Sequence, residues 1–207
     1  MTIKTLSHKI FSVFLSVVLI MCMMLPITFV SAAQNVWSGE KATSFAGGTG
    51  TEADPFLISS PEQLAYMLFY GITKTGLYYE LTADIYLNDV SDANWASNSP
   101  KSWYDRAAMN KIAFVGNLDG DGHTIHGLYY SGTDIVGLFP QASNTTVTNL
   151  KISNANMTSS SHVSAIVSFG QNSITIKKCI VDETVKLTTT GSASAVGGVV
   201  GYGTPKV

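Results

Sequence analysis

Charge is scarce in this 207-residue chain: 13% of its residues are Asp, Glu, Lys or Arg, and arginine occurs once, at Arg106. No run of Lys and Arg exists, which excludes the phosphate-neutralising surface that nucleic acid needs and a polybasic membrane patch. Cysteine is scarcer still, with Cys22 and Cys179 alone. Cys22 falls in an N-terminal apolar leader, so a mature chain holds one thiol. Neither an internal disulfide nor a multi-cysteine metal site is then available, and no cofactor is called for. Helical periodicity is confined to one short stretch. What remains is rich in Gly, Ser, Thr, Asn and β-branched residues, a composition that suits short strands and tight turns.

The leader has a definite grammar. Lys4 and Lys9 precede an almost wholly apolar run from Ile10 to Val30, and Ser31-Ala32-Ala33 offers small residues at a cleavage site. Residues 1–33 therefore read as a secretory signal peptide, with the mature chain starting at Gln34. A retained anchor is the rival, because the run approaches the ~20 residues of a membrane span; the small-residue exit favours cleavage. Lipidation at Cys22 is disfavoured by the bulky Met21 before it. Both leader charges are basic, so the mature part, Gln34 to Val207, is more acidic than the whole chain. Its length suffices for one domain with a real core and no transmembrane segment.

Residues 34–111 read as an N-terminal cap. Gln34 to Asp54 is an extended lead-in with Trp37 and Phe45 as docking points. A helix is expected over 60–71: Ser60 is a good N-cap, Pro61 suits the first helical position, and Gln63 completes a capping box. Leu64, Met67, Leu68 and Gly71 fall on one face, and Gly71 is a natural stop. Residues 79–88 alternate strictly, with Tyr79, Leu81, Ala83, Ile85 and Leu87 facing one way, which predicts one half-buried strand. Residues 91–111, with two Trp and no period, read as a surface loop.

From residue 112 onward, through 112–207, the chain repeats itself. Thr124-Ile125-His126-Gly127-Leu128, Thr146-Val147-Thr148-Asn149-Leu150 and Thr175-Ile176-Lys177-Lys178-Cys179 are versions of one pattern. Each is followed by a second element: Val136-Gly137-Leu138-Phe139, Ser164-Ala165-Ile166-Val167 and Gly197-Gly198-Val199-Val200. Aligning Ile125, Val147 and Ile176 gives unequal steps (147 − 125 = 22; 176 − 147 = 29). Such periods mean stacked units, each unable to bury its apolar face alone. On this alignment the three side chains form one column, Leu128, Leu150 and Cys179 another, and Cys179 is a small apolar filler. The stack stops at Val207 with no terminal cap in sight, which predicts an open last coil able to pair with another chain.

These residues carry a family resemblance. Gly50-Thr51-Glu52-Ala53-Asp54-Pro55-Phe56-Leu57-Ile58 through Leu64, the strand Tyr79 to Leu87, and Phe114-Val115-Gly116-Asn117-Leu118-Asp119-Gly120-Asp121-Gly122-His123 through Leu128 resemble the ordered motifs that open many secreted bacterial β-helix proteins. Val136-Gly137-Leu138-Phe139 and Gly198-Val199-Val200-Gly201 resemble the short element of the GLUG repeat. The middle copy departs from it, with Ser164, Ala165 and Ser168 where glycines are expected. The resemblance covers about residues 47 to 203 and implies a right-handed parallel β-helix of cell-surface type, mainly β, with one N-terminal capping helix.

Candidate chemistry is thin. Asp119, Asp121, His123 and His126 are ligand types at short spacing, yet the positions do not match a calcium loop, where His123 and Tyr130 would stand in for acidic ligands. The alternative is structural: Asp119-Gly120 and Asp121-Gly122 build a corner, the Asp side chains capping backbone N–H groups. No metal site and no catalytic residue is assigned. Trp95, Trp103 and Tyr104, in an aromatic-rich stretch 78–104, are candidate sugar-stacking residues, although aromatics in a cap also plug a core. Asn144-Thr145-Thr146 and Asn156-Met157-Thr158 match glycosylation acceptors. The expected role is a non-enzymatic extracellular adhesion or scaffolding module, with extracellular glycans or host or surface proteins as partners. Glycan binding and polysaccharide cleavage are the alternatives; cleavage rests on fold analogy alone.

Overall fold

The computed structural model describes residues 34–70, 74–103, 113–192, 194–203 and 205–206. The leader, Gly71, Tyr104, Arg106 and the rest of 104–112 lie outside the described residues, and with them the expectations of a signal peptide and a helix stop.

Among the described residues the fold is mainly β, with one α-helix. Strand β1 (Phe56–Ile58) leads into α1 (Pro61–Tyr70), followed by β2 (Tyr78–Leu81) and β3 (Ile85–Tyr86). A 3-10 turn at Trp95–Ser97 interrupts the excursion that follows. Then come β4 (Asn117–Asp119), β5 (Thr124–His126), β6 (Tyr129–Gly132), β7 (Phe139–Thr148), β8 (Lys151–Ser153), β9 (Asn156–Ser159) and β10 (Val163–Ser164). The last are β11 (Val167–Lys177), β12 (Ile180–Val181), β13 (Lys186–Thr189), β14 (Val196–Gly197), β15 (Val200–Tyr202) and β16 (Pro205–Lys206).

Every pairing between these strands is parallel. Within the described residues the chain visits four sheets in rotation. The first runs β1-β2-β4-β7-β11-β15, with β16 also on β11; the second is β3-β5-β8-β12; the third is β6-β9-β13; the fourth is β10-β14. A bridge from Val136 to Val163 extends the fourth. From β4 onward, each circuit of chain thus lays its strands beside those of the circuit before, while β1, β2 and β3 contribute to the first two sheets alone.

Inward positions stack as columns. Tyr79, Leu118, Val147 and Ile176 are successive partners on the first sheet. Ile85, Ile125, Ile152 and Val181 are partners on the second, and Tyr130, Met157 and Leu187 on the third. Nearly all are buried and join one apolar core, so each circuit shields its neighbour. Exposure rises in the last circuit, where Ile180, Val196 and Tyr202 are 57%, 46% and 56% exposed.

The register corrects the alignment drawn from sequence. Ile125 does not lie in line with Val147; it belongs to the second sheet, between Ile85 and Ile152. Val147 stands between Leu118 and Ile176, and the step is then equal both times (147 − 118 = 29; 176 − 147 = 29). The cause is local. A circuit has two corners where a left-handed residue precedes an apolar one: Gly127 (φ 76°) before Leu128 and Asn149 (φ 50°) before Leu150. Both corners write the same strand–corner–leucine pattern, so a corner after one sheet mimics a corner after the next. Lys178 (φ 53°) repeats the Asn149 position, which makes Cys179 the neighbour of Leu150, whereas Leu128 matches Ala155. Cys179 packs part-buried against the core, its Sγ 3.4 Å from the Lys177 carbonyl, and burial pushes its thiol up.

A second correction concerns residues 79–88. The alternation is real, with Tyr79, Leu81, Ile85 and Leu87 all buried, but it spans two strands on different sheets. The chain turns the corner at 82–84, where Thr82 N–H donates to the Ile58 carbonyl (2.9 Å), and the period survives the bend. Strands β2 and β3 pair directly with β4 and β5, so the segment before residue 112 contributes to the same sheets as the repeats.

Helix α1 forms where expected and buries Pro61, Leu64, Ala65, Met67 and Leu68. The Ser60 hydroxyl accepts from Gln63 N–H (3.3 Å), while Gln63 Oε1 reaches past Ser60 to accept from Ser59 N–H (2.8 Å) and its hydroxyl (3.1 Å). Phe45 stacks on Phe56 at 4.5 Å, and Trp37 meets Trp103 edge-on at 5.3 Å. In the middle repeat Ser164 and Ser168 are fully buried, and their hydroxyls have no hydrogen-bond partner among the described residues. Their neighbours must stay small: a Cβ on Gly201 would sit 2.7 Å from the Ser168 carbonyl oxygen, and one on Gly137 3.0 Å from that of Ser164.

The corner after β12 supplies an acid-sensitive tie. Asp182 accepts from Thr184 N–H (3.1 Å) and its hydroxyl (2.5 Å), and pairs with Lys151 Nζ at 3.1 Å. Partial burial works to raise this carboxyl, but the hydrogen bonds from Thr184, Lys151 and Ser153 outweigh it and hold it down at about 2. A carboxyl depressed on folding stabilises above its unfolded value near 3.8 and loses that contribution as pH falls toward 2. We expect urea unfolding to show a loss of roughly 1–2 kcal/mol between pH 5 and pH 2, discounted because Lys151 is 41% exposed. Asp182→Asn should flatten that step, and an unchanged pH profile in the variant would show that the tie contributes nothing.

Candidate functional site

The outward face of the first sheet carries ordered rows of side chains beside a groove. Because side chains alternate along each strand, the residues between the inward Tyr79, Leu118, Val147 and Ile176 project outward. Register then places them in two rows across the strands. One row is Tyr78, Asn117, Thr146 and Thr175; the other is Glu80, Asp119, Thr148 and Lys177. At the β2–β4–β7 end these rows line a groove of about 390 Å³, walled by Glu52 and Pro55 from the turn before β1.

The groove is acidic on one side. Glu80 and Asp119 are direct cross-strand partners, and Glu52 adds a third carboxylate. Asp119 is half committed to structure: its Oδ1 accepts from Asp121 N–H (2.9 Å) and from Asn149 Nδ2 (2.8 Å). Asn117 Nδ2 makes a long contact with the Leu77 carbonyl (3.4 Å). The side chains of Tyr78, Glu80, Thr146 and Thr148 have no hydrogen-bond partner among the described residues, although all are half-buried. Lys177 is the cation of the second row, two strands from Asp119, or about 10 Å along the sheet.

The turn beside the groove is built by the residues named from sequence. Asp121 (φ 46°) and Gly122 (φ 81°) are left-handed, and Gly120 N–H donates to the Thr148 carbonyl at 2.8 Å. Gly120 is obligatory for a different reason: a Cβ there would lie 2.6 Å from the Asn149 carbonyl oxygen. The two histidines look elsewhere. His123 Nδ1 lies 3.2 Å from Asp84 Oδ1, whereas His126 stacks on Tyr86 at 4.6 Å with its Nδ1 3.2 Å from Asn154 Oδ1. Among the described residues no three His, Cys, Asp or Glu side chains converge to hold a metal.

The tryptophans chosen from sequence as sugar-stacking residues belong to the core. Trp95 is 9% exposed and meets Tyr129 edge-on. Trp103 is 2% exposed, wedged against Trp37, with its Nε1–H donating to the Leu138 carbonyl at 3.3 Å. Neither presents a ring face to solvent, because the apolar area of an indole gains more from filling the space beside the stack than from lying on it. Tyr104 lies outside the described residues. Sequence reading missed the groove because the uneven first step scrambled its rows. Read at the even step that joins Leu118, Val147 and Ile176, the residues Asn117, Thr146 and Thr175, then Asp119, Thr148 and Lys177, fall into line.

No family model matches the chain, and no solved structure matches it. It is similar to Halomucin from Haloquadratum walsbyi (strain DSM 16790 / HBSQ001), with 32% identity over 169 residues. That stretch is 79% of this chain and 2% of Halomucin, so the likeness is to a small piece of a very long protein. No helix among the described residues is long and apolar enough to cross a membrane.

Proposed function

We propose that this protein is a non-enzymatic extracellular module for adhesion or scaffolding, of the GLUG-repeat type. In this reading its circuits wind as a right-handed parallel β-helix, α1 covers the N-terminal end, and residues 1–33 are a cleaved export signal. The observation that carries the proposal is the parallel, column-by-column stacking of successive circuits, an architecture that turns sequence into surface area without a dedicated reaction centre. The likeness to a 2% segment of Halomucin supports it, since a module of this size is then one unit of an extended chain.

Polysaccharide cleavage gains less support. Asp119 commits one carboxylate oxygen to its own corner, and the cation of its row stands about 10 Å away, too far to neutralise a sugar acid bound at the carboxylates. The test is direct. Antibody against the protein should label intact cells of the producing organism, and the released form should begin at Gln34. Labelling that requires permeabilised cells would refute the extracellular reading; unsaturated products from polygalacturonate would refute the non-enzymatic one.

A further inference from the structure

We infer that the groove on the outer face of the first sheet binds an uncharged polysaccharide strand, laid across β2, β4 and β7. This stands apart from the adhesion or scaffolding proposal, which needs no groove and survives without it.

Three observations converge on a sugar chain. The first is spacing. Outward side chains recur along each row at the strand separation of about 4.8 Å, so equivalent groups repeat at a distance comparable to one pyranose unit. A ligand with the same repeated hydroxyl pattern in every unit can match both rows together, which a peptide with varied side chains does not. The second is chemistry. Asn117 offers an amide acceptor and the amide hydrogen not directed at the Leu77 carbonyl, Thr146 and Thr148 offer hydroxyls, and Glu80 and Asp119 offer acceptors for paired sugar O–H donors. Tyr78 stands at one end as a ring against which a C–H face can rest. The third is availability. Glu80, Thr146 and Thr148 are half-buried by their neighbours yet make no side-chain hydrogen bond among the described residues, so a ligand need not displace an internal contact.

Charge then selects among polysaccharides. Three carboxylates, Glu52, Glu80 and Asp119, gather at the groove, and Lys177 lies beyond it on β11. A polyuronate or sulfated chain would bring like charge into a partly desolvated site, which is repelled. An uncharged chain brings no like charge and offers hydroxyls that those carboxylates accept.

Affinity electrophoresis of the full chain through gels containing galactomannan, hydroxyethylcellulose, polygalacturonate or heparin tests the assignment. At least one uncharged polymer should retard the protein, and neither anionic polymer should. Asn117→Ala combined with Thr148→Ala should weaken that retardation by about ten-fold or more, the loss of two ligand hydrogen bonds. Thr146→Arg, which fills the groove, should abolish it. Both variants change outward residues, and thermal unfolding at the wild-type temperature certifies that they fold. Retardation by no uncharged polymer, by the anionic polymers instead, or to the same extent in both variants would overturn the inference. Each result leaves antibody labelling of intact cells unaffected, so the two readings fail separately.

Discussion

Replacing Phe139 with alanine is expected to cost about 3–5 kcal/mol of unfolding free energy, the upper range for removing a buried aromatic ring. Phe139 opens β7, is fully buried, and stacks on Phe114 at 4.5 Å with the planes 22° apart. Its backbone is fixed on the following circuit, with its N–H donating to the Ile166 carbonyl at 2.8 Å and its Cα paired with Val167. The cavity left by alanine cannot collapse without moving a strand held by that ladder, so most of the lost contact energy stays lost. Phe139→Leu, which keeps part of the volume, should cost less than half as much. Urea unfolding at pH 7 measures both. A loss under about 1 kcal/mol for the alanine variant would mean that the circuits relax independently, against the packing described above.

The second large effect falls on a polar residue. Asn88 is buried at the exit of β3, and its amide serves three backbone groups. Nδ2 donates to the Gly127 carbonyl (2.8 Å) and the Lys101 carbonyl (2.9 Å), and Oδ1 accepts from Lys101 N–H (2.7 Å). One side chain therefore clips the excursion of residues 89–103 to the corner of the next circuit. Asn88→Ala leaves those groups unpaired and should destabilise the protein by about 2–4 kcal/mol. It should also release the excursion, which limited proteolysis reads as faster cleavage between Asp89 and Lys101. Asn88→Asp separates the explanations. It retains the acceptor but aims a carboxylate at two carbonyl oxygens, so at pH 7 it should be no better than alanine. Wild-type stability in the aspartate variant would show that the donors do not hold the clip.

Gly127 explains why sequence and structure part company where they do. It has φ of 76°, and a Cβ there would lie 2.7 Å from Asn88 N, so both the turn and the close approach demand glycine. In sequence, that glycine before Leu128 looks like Asn149 before Leu150, and nothing local says that the two corners follow different sheets. The apolar alternation, helix α1 and the Val-Gly-Leu-Phe element are local signals, and each was legible. Register is a long-range property, and it decided the rest. The break at 82–84 was hidden because the inward–outward period continues through it. The tryptophans were misplaced for a related reason: an aromatic in an unpatterned stretch is equally well a surface feature or a plug, and only the neighbours Trp37, Tyr129 and Leu138 decide. The groove needed the register first, since it is made of polar residues that mean little until they stand in rows.

Parallel pairing between circuits also sets how the molecule meets mechanical load. The backbone hydrogen bonds that join one circuit to the next point along the direction of stacking, so a pull in that direction opens them one rung after another instead of shearing a whole sheet at once. Each rung freed would release one circuit of chain, roughly 100 Å when drawn straight. A tether built this way yields circuit by circuit under strain and keeps the unpeeled remainder intact.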